Sequence, residues 1–220
     1  MTEEEHGTGS RPPDDIETSP QGLDRIVFFS DAVFAIAITL LVIQISVPPA
    51  SEHDVGSALA DRWPQFTSFA LSFLVIGLFW SRHHLMFRYI VKSDNVLLWL
   101  NLGLLLCIAF MPYPTALVGE HSHDRVAAIL YAGTMTIAGL AAAALWGYAS
   151  YGGRLLVDGT DARLIRYLRQ RPLVVTLVFA SSMLVALGSV RAAELLWVLV
   201  FPLLALLRRA HGDPLSRRRS

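Results

Sequence analysis

The chain has 220 residues, of which 54% are hydrophobic and only 16% charged, and its mean hydropathy is +0.49. That is too apolar for an ordinary soluble domain of this length, so the chain reads as an integral membrane protein. Eighteen basic residues balance eighteen acidic ones for a net charge of zero, which leaves no global basic field of the kind that argues for nucleic acid.

Residues 1–22 carry Glu3, Glu4, Glu5, Asp14, Asp15 and Glu17 with Pro12, Pro13 and Pro20 and almost no large apolar side chains. Such a composition cannot bury enough surface to offset chain entropy, so a disordered acidic tail is expected. A cleaved secretory signal is not expected, because the first apolar span comes after this tail and is longer than a signal-peptide core. That span runs from Arg25 to Val47, long enough as a helix to cross a hydrocarbon core of about 30 Å, and Pro48 and Pro49 end it.

Five further apolar spans follow, at about residues 63–82, 95–117, 125–149, 172–190 and 192–208, making six. Pro64 opens the second, and Gly152 with Gly153 closes the fourth. The last two are near the short limit for crossing and read as an antiparallel hairpin turning at Gly188 to Arg191. Pro112, Pro114 and Pro202, near span ends, are expected to bend or end helices. Gly139, Ala143 and Gly147 recur every four residues in the fourth span, the spacing that lets helix backbones approach closely in a membrane. Residues 23–209 thus form one transmembrane domain, followed by a basic tail at 210–220.

Lys and Arg are distributed unevenly. The amino-terminal segment, the connections after spans two and four, and the carboxyl tail hold fifteen of the eighteen, while Arg62, Arg125 and Arg191 are alone in the other connections. Positive charge marks the cytoplasmic side, so both termini are expected there, in a multi-pass protein of the cell membrane.

Within the first span Asp31 is a carboxylate near the start of an apolar helix, which needs a partner or a function. Arg25, six residues earlier, offers an ion pair, and His83, His84, Ser30 and Asn101 supply further polar groups near the same ends of spans one to three. Counting from Asp31, Ile36, Leu40 and Ile43 fall on one helical face with Thr39 beside it. From periodicity alone such a stripe reads as packing, and a helical threonine as bonded to a preceding carbonyl. Adjacent His83 and His84 point about 100° apart on a helix and suit a shared metal poorly. His121 and His123, with Glu120 and Asp124, make a polar loop that reads as solvated rather than as a metal site. Cys107 is alone in the chain and reads as a small core hydrophobe. No HExxH, phosphate-binding glycine loop or Gly-x-Ser-x-Gly occurs, and Ser181 and Ser182 lack a His or Lys in their span, so neither an enzyme nor a cofactor is expected. The TVGYG carbonyl filter is absent as well.

The order of the polar residues is itself informative. Arg25, Phe29, Ser30 and Asp31 stand as R-x-x-x-F-S-D, Trp80, His83 and His84 lie in FWSRHHLMF, and Asn101 is followed by MPYPT from Met111 to Thr115. In these residues, between about 25 and 117, the chain resembles the transmembrane protein 175 family, potassium-permeable channels of endosomes and lysosomes and their bacterial relatives. The resemblance implies an all-α integral membrane protein with six transmembrane helices per subunit, helix 1 lining a central pore in a homo-oligomer. A single copy of the motif and the bacterial relatives imply a homotetramer. By position after the motif aspartate, Ile36 becomes the pore constriction, continued by Leu40 and Ile43, and Thr39 contributes to ion preference. Arg25, Phe29, Ser30, Asp31, Trp80, His83, His84 and Asn101 become a structural polar network behind the pore. The implied function is conduction of K+ and other monovalent cations with modest preference for K+ over Na+. The alternative is a proton-coupled transporter or proton channel using Asp31 with His83 and His84.

Overall fold

A computed structural model describes residues 20–49 and 54–210. The tails expected at residues 1–22 and 210–220 lie almost wholly outside them. Among the described residues the chain is all-helical, apart from one isolated antiparallel bridge between Ile90 and Leu156. Among the described residues there are nine α-helices, of which all but the short α2 build six candidate spans: α1 (Pro20–Ile43), α2 (Val55–Asp61), α3 (Trp63–Phe87), α4 (Asn95–Phe110), α5 (Pro112–Glu120), α6 (Arg125–Ser150), α7 (Ala162–Ala186), α8 (Val190–Val198) and α9 (Val200–Ala210).

Prolines set the breaks. Pro112 lacks the N–H that would continue α4 smoothly, so the third span is divided at Met111. Pro202 leaves the Val198 carbonyl without its donor, and the sixth span divides at Leu199. Acidic loop residues supply the starts, because the first N–H groups of a helix have no partner within it. Asp94 accepts from Leu97 N, Asp124 from Ala127 N and Asp161 from Arg163 N, each as an N-cap.

The expected fifth span needs correction. It begins at Ala162 rather than at residue 172, so Pro172 lies inside α7 and the Arg-rich stretch read as a connection is the first two and a half turns of a 25-residue helix. The apolar window starts late because Arg163, Arg166, Arg169 and Arg171 dilute it, while Asp161 caps the helix before them. The fifth and sixth spans, 25 and 21 residues long, are therefore not short. The first span ends at Ile43, four residues earlier than expected.

α6 is the central helix and packs along α7, α4 and α5. Gly139 makes a close approach to α7: a Cβ there would meet Thr176 Oγ1 at 2.3 Å, whereas one at Gly147 would meet open space. Tyr131 of α6 stacks on Trp197 of α8 at 4.6 Å between centroids, and Trp197 Nε1 donates to Ser182 Oγ of α7 at 2.9 Å. On the other side of the bundle α1 packs against α3, α4 and α5.

Candidate functional site

α1 is two-faced. Ser30, Phe34, Ala37 and Leu41, spaced four, three and four residues apart, are at most 2% exposed against the bundle. At about 100° per residue, Thr39 falls opposite the centre of that face, with Ile43 and Ile36 about 40° and about 60° round from it on the same side, toward Leu40. Ile36 is 58% exposed and Ile43 71%, while Leu40, nearer the buried face, is 40% exposed. The expected stripe thus points away from the other described helices, with Leu40 at its edge. The Thr39 hydroxyl donates to the Ile36 carbonyl at 2.9 Å, leaving its oxygen lone pairs free to accept. A cavity of about 560 Å3 between α3, α5 and α8 is lined by no residue of α1.

Behind α1, three helices contribute to one buried chain of hydrogen bonds. Ser30 Oγ donates to the Ile26 carbonyl at 2.7 Å, Asn101 Nδ2 donates to Ser30 Oγ at 2.9 Å, and Asn101 Oδ1 lies 2.8 Å from His83 Nε2. The directions follow from counting protons. The single Ser30 hydroxyl proton is used on Ile26, so Ser30 accepts from the Asn101 amide, the amide oxygen faces His83, and His83 carries its proton on Nε2. The ring stacks on Phe87 at 4.3 Å and tilts against Phe34 at 5.5 Å. Its Nδ1 is buried with no hydrogen-bond partner, so the chain ends there.

Asp31 belongs to a separate pair nearer the surface. Trp80 Nε1 donates to its Oδ1 at 2.9 Å, and His84 leans on the Trp80 ring at 5.9 Å. Arg25 is exposed and forms no ion pair with Asp31, and Phe29 is half exposed. The structure therefore joins Ser30, His83 and Asn101, pairs Asp31 with Trp80 beside His84, and leaves Arg25 and Phe29 at the surface. An indole opposite Asp31 was legible only with the antiparallel pairing of α1 and α3 in hand, since 49 residues separate the partners.

Two further polar groupings escaped the sequence. Asp94 accepts from the Tyr148 hydroxyl at 2.6 Å and lies 3.5 Å from Arg154, whose guanidinium covers the Tyr148 ring. Its signal was a cap residue just before an apolar run. Arg82 is 5% exposed, and its Nη2 donates to the Leu168 carbonyl of α7 at 3.2 Å. In the polar loop, Asp124 is occupied as a helix cap and His123 lies 3.0 Å from Glu194. Among the described residues no three His, Cys, Asp or Glu side chains converge as metal ligands would.

Residues 25–112 match the family described as "Endosomal/lysosomal potassium channel TMEM175". A protein of Streptomyces collinus named as a potassium channel is 39% identical over 171 residues, which are 72% of this chain and 83% of that one. A similarly named protein of Chamaesiphon minutus is 41% identical over 62% of this chain and 70% of its own length. The human protein named as the endosomal/lysosomal proton channel TMEM175 is 27% identical over 67% of this chain but 31% of its own length. Among solved structures, a lysosomal potassium-selective channel TMEM175 homolog from Chamaesiphon minutus superposes with a TM-score of 0.73 at 28% identity, covering 87% of this chain and 99% of that one.

Proposed function

Because this chain belongs to the TMEM175 family of ion channels, we propose that it conducts K+ with modest preference over Na+, through a pore lined by α1 from several copies. It is a multi-pass membrane protein and an ion channel rather than an enzyme.

The observation that carries the pore reading is the outward face of α1, with Thr39 at its centre. Lipid would cover the isoleucines of that face equally well, but gains nothing from a hydroxyl. Around a symmetry axis, rings of Ile36 and Ile43 would form narrow apolar constrictions that block ions by dewetting, with Leu40 at the flank. A ring of Thr39 oxygens between them offers acceptors to a partly dehydrated cation. Asp31 is held by Trp80, so it supplies no acidic ring to the pore face, and selectivity rests on neutral oxygens and stays modest. One α1 encloses nothing, hence a closed cyclic homo-oligomer, for which we propose a tetramer. The distribution of Lys and Arg supports both termini in the cytoplasm of a cell-membrane protein.

Proton conduction is the second reading, favoured by the name of the human relative and by the Ser30–Asn101–His83 chain. That chain stops at His83 Nδ1, which argues for a structural role. The test is the purified protein in planar bilayers under a K+ gradient opposed by Na+. Discrete openings reversing toward the K+ potential are expected. Silence together with slow saturable uptake in proteoliposomes would favour a carrier, and currents that follow an imposed pH gradient alone would favour the proton reading.

A further inference from the structure

Arg82 is an arginine buried in a membrane-spanning helix, and among the described residues no carboxylate pairs with it. One of its nitrogens, Nη2, donates to the Leu168 carbonyl, while Nε is buried with no partner. Arg171 of α7 lines the same cleft, and its Nε is likewise buried and unpartnered. Its guanidinium lies 5.5 Å over the Tyr167 ring, which satisfies charge in part but no N–H. The other walls, including Val75, Phe79, Val175 and Leu204, are apolar. Two like charges act on each other there, with the Leu168 carbonyl as the acceptor for Arg82 Nη2 and none for either Nε. Buried charge without a full set of partners is costly, so the pair is incomplete as it stands.

The cleft lies between α3, α7 and α9, with Arg82 five residues before the end of α3 and Arg171 nine after the start of α7, on the side of the spans toward those ends. Exposed Arg166, Arg169 and Arg209 belong to the same ends. The space within is about 10 Å3, enough for about one water-sized atom. A whole headgroup cannot enter, whereas a single phosphate oxygen can, and guanidinium N–H groups match phosphate geometry better than any other side chain.

We propose that Arg82 and Arg171 form a phosphate-oxygen site at the membrane interface, filled by the phosphate of an anionic phospholipid whose chains lie along α3, α7 and α9. Inorganic phosphate shares the chemistry and is the other possible source. The site is independent of whether the chain conducts.

Thermal unfolding of the full-length protein in detergent tests this, with added phosphatidylglycerol, phosphatidylcholine or inorganic phosphate, alongside native mass spectrometry to count bound lipid. Phosphatidylglycerol should raise the melting temperature and leave bound lipid, phosphatidylcholine much less so. Arg171→Gln should weaken the phosphatidylglycerol effect about tenfold, as loss of a charge-assisted hydrogen bond predicts. Arg171→Lys should restore part of it. Arg82 is unsuitable as the primary variant because it also holds α7. Stabilisation by inorganic phosphate alone, abolished by Arg171→Gln, would keep the site and change its source. Equal responses to both lipids with no phosphate effect, or an undiminished response in Arg171→Gln that still elutes as wild type, would overturn it and leave a trapped water as the occupant.

Discussion

Arg82 completes the helix that Pro172 interrupts. The Leu168 carbonyl lies four residues before Pro172, which has no N–H to give it, and Arg82 Nη2 of α3 donates to that carbonyl at 3.2 Å. A proline is thereby accommodated in the interior of a membrane helix by a neighbouring helix. The two residues should be energetically coupled. Arg82→Met is expected to destabilise the protein by about 1–3 kcal/mol, the cost of a buried carbonyl left without a donor. In a Pro172→Ala background the alanine N–H reaches Leu168 and the same substitution should cost less. A double-mutant cycle on unfolding measures this, and strictly additive effects would separate the two residues.

Asp31 and Trp80 predict an asymmetry between two conservative changes. Asp31→Asn keeps an amide oxygen for the indole N–H and should leave assembly on size-exclusion chromatography near wild type. Trp80→Phe removes the donor from a carboxylate near the start of an apolar helix and should lower the yield of assembled protein. If Asp31→Asn assembles normally but alters unitary conductance, Asp31 belongs in the ion path rather than in this pair.

If α1 lines the pore as proposed, its outward face should separate gating from selectivity. Ile36→Asn should raise bilayer conductance several-fold, since a hydrated ring removes a dewetting barrier. Thr39→Ala should move the reversal potential in mixed K+ and Na+ while melting close to wild type, because its hydroxyl bonds only the exposed turn of its own helix. Unchanged currents in the first variant, or an unmoved reversal potential in the second, would send this face back to the lipid.

Two glycines of α6 should respond in opposite ways. Gly139→Ala places a methyl 2.3 Å from Thr176 Oγ1, and overpacking of that kind costs about 1–3 kcal/mol. Gly147→Ala meets open space and gains up to about 1 kcal/mol of helix propensity. Detergent melting temperatures should fall for the first and hold or rise for the second.

Much of this was legible beforehand. Apolar run length gave six spans because lipid enforces a simple rule, and the polar motif of spans one to three named Ser30, His83 and Asn101 before their contacts were known. What escaped is instructive. Residue 172 looked like the start of a span because the arginines before it dilute the apolar window, and only Arg82, 90 residues earlier, explains how α7 runs through Pro172. Asp31 was assigned to Arg25 because sequence proximity was the available measure, whereas the antiparallel return of α3 brings Trp80 within bonding distance. Of the small residues on α6, spacing alone did not separate Gly139, which touches a neighbour, from Gly147, which does not.

The bonds between the loops after α3 and α6 carry a mechanical consequence. Val91 N donates to the Leu155 carbonyl and Val157 N to the Tyr89 carbonyl, both at 2.9 Å, while Asp94 at the start of α4 accepts from Tyr148 near the end of α6. The end of α3, the start of α4 and the end of α6 are thus stitched together and resist splaying. α1 is fastened mainly along one side, to α3, α4 and α5. A widening at the α1 face would therefore come from α1 tilting or rotating against a stiff backing, as a door moves in a fixed frame.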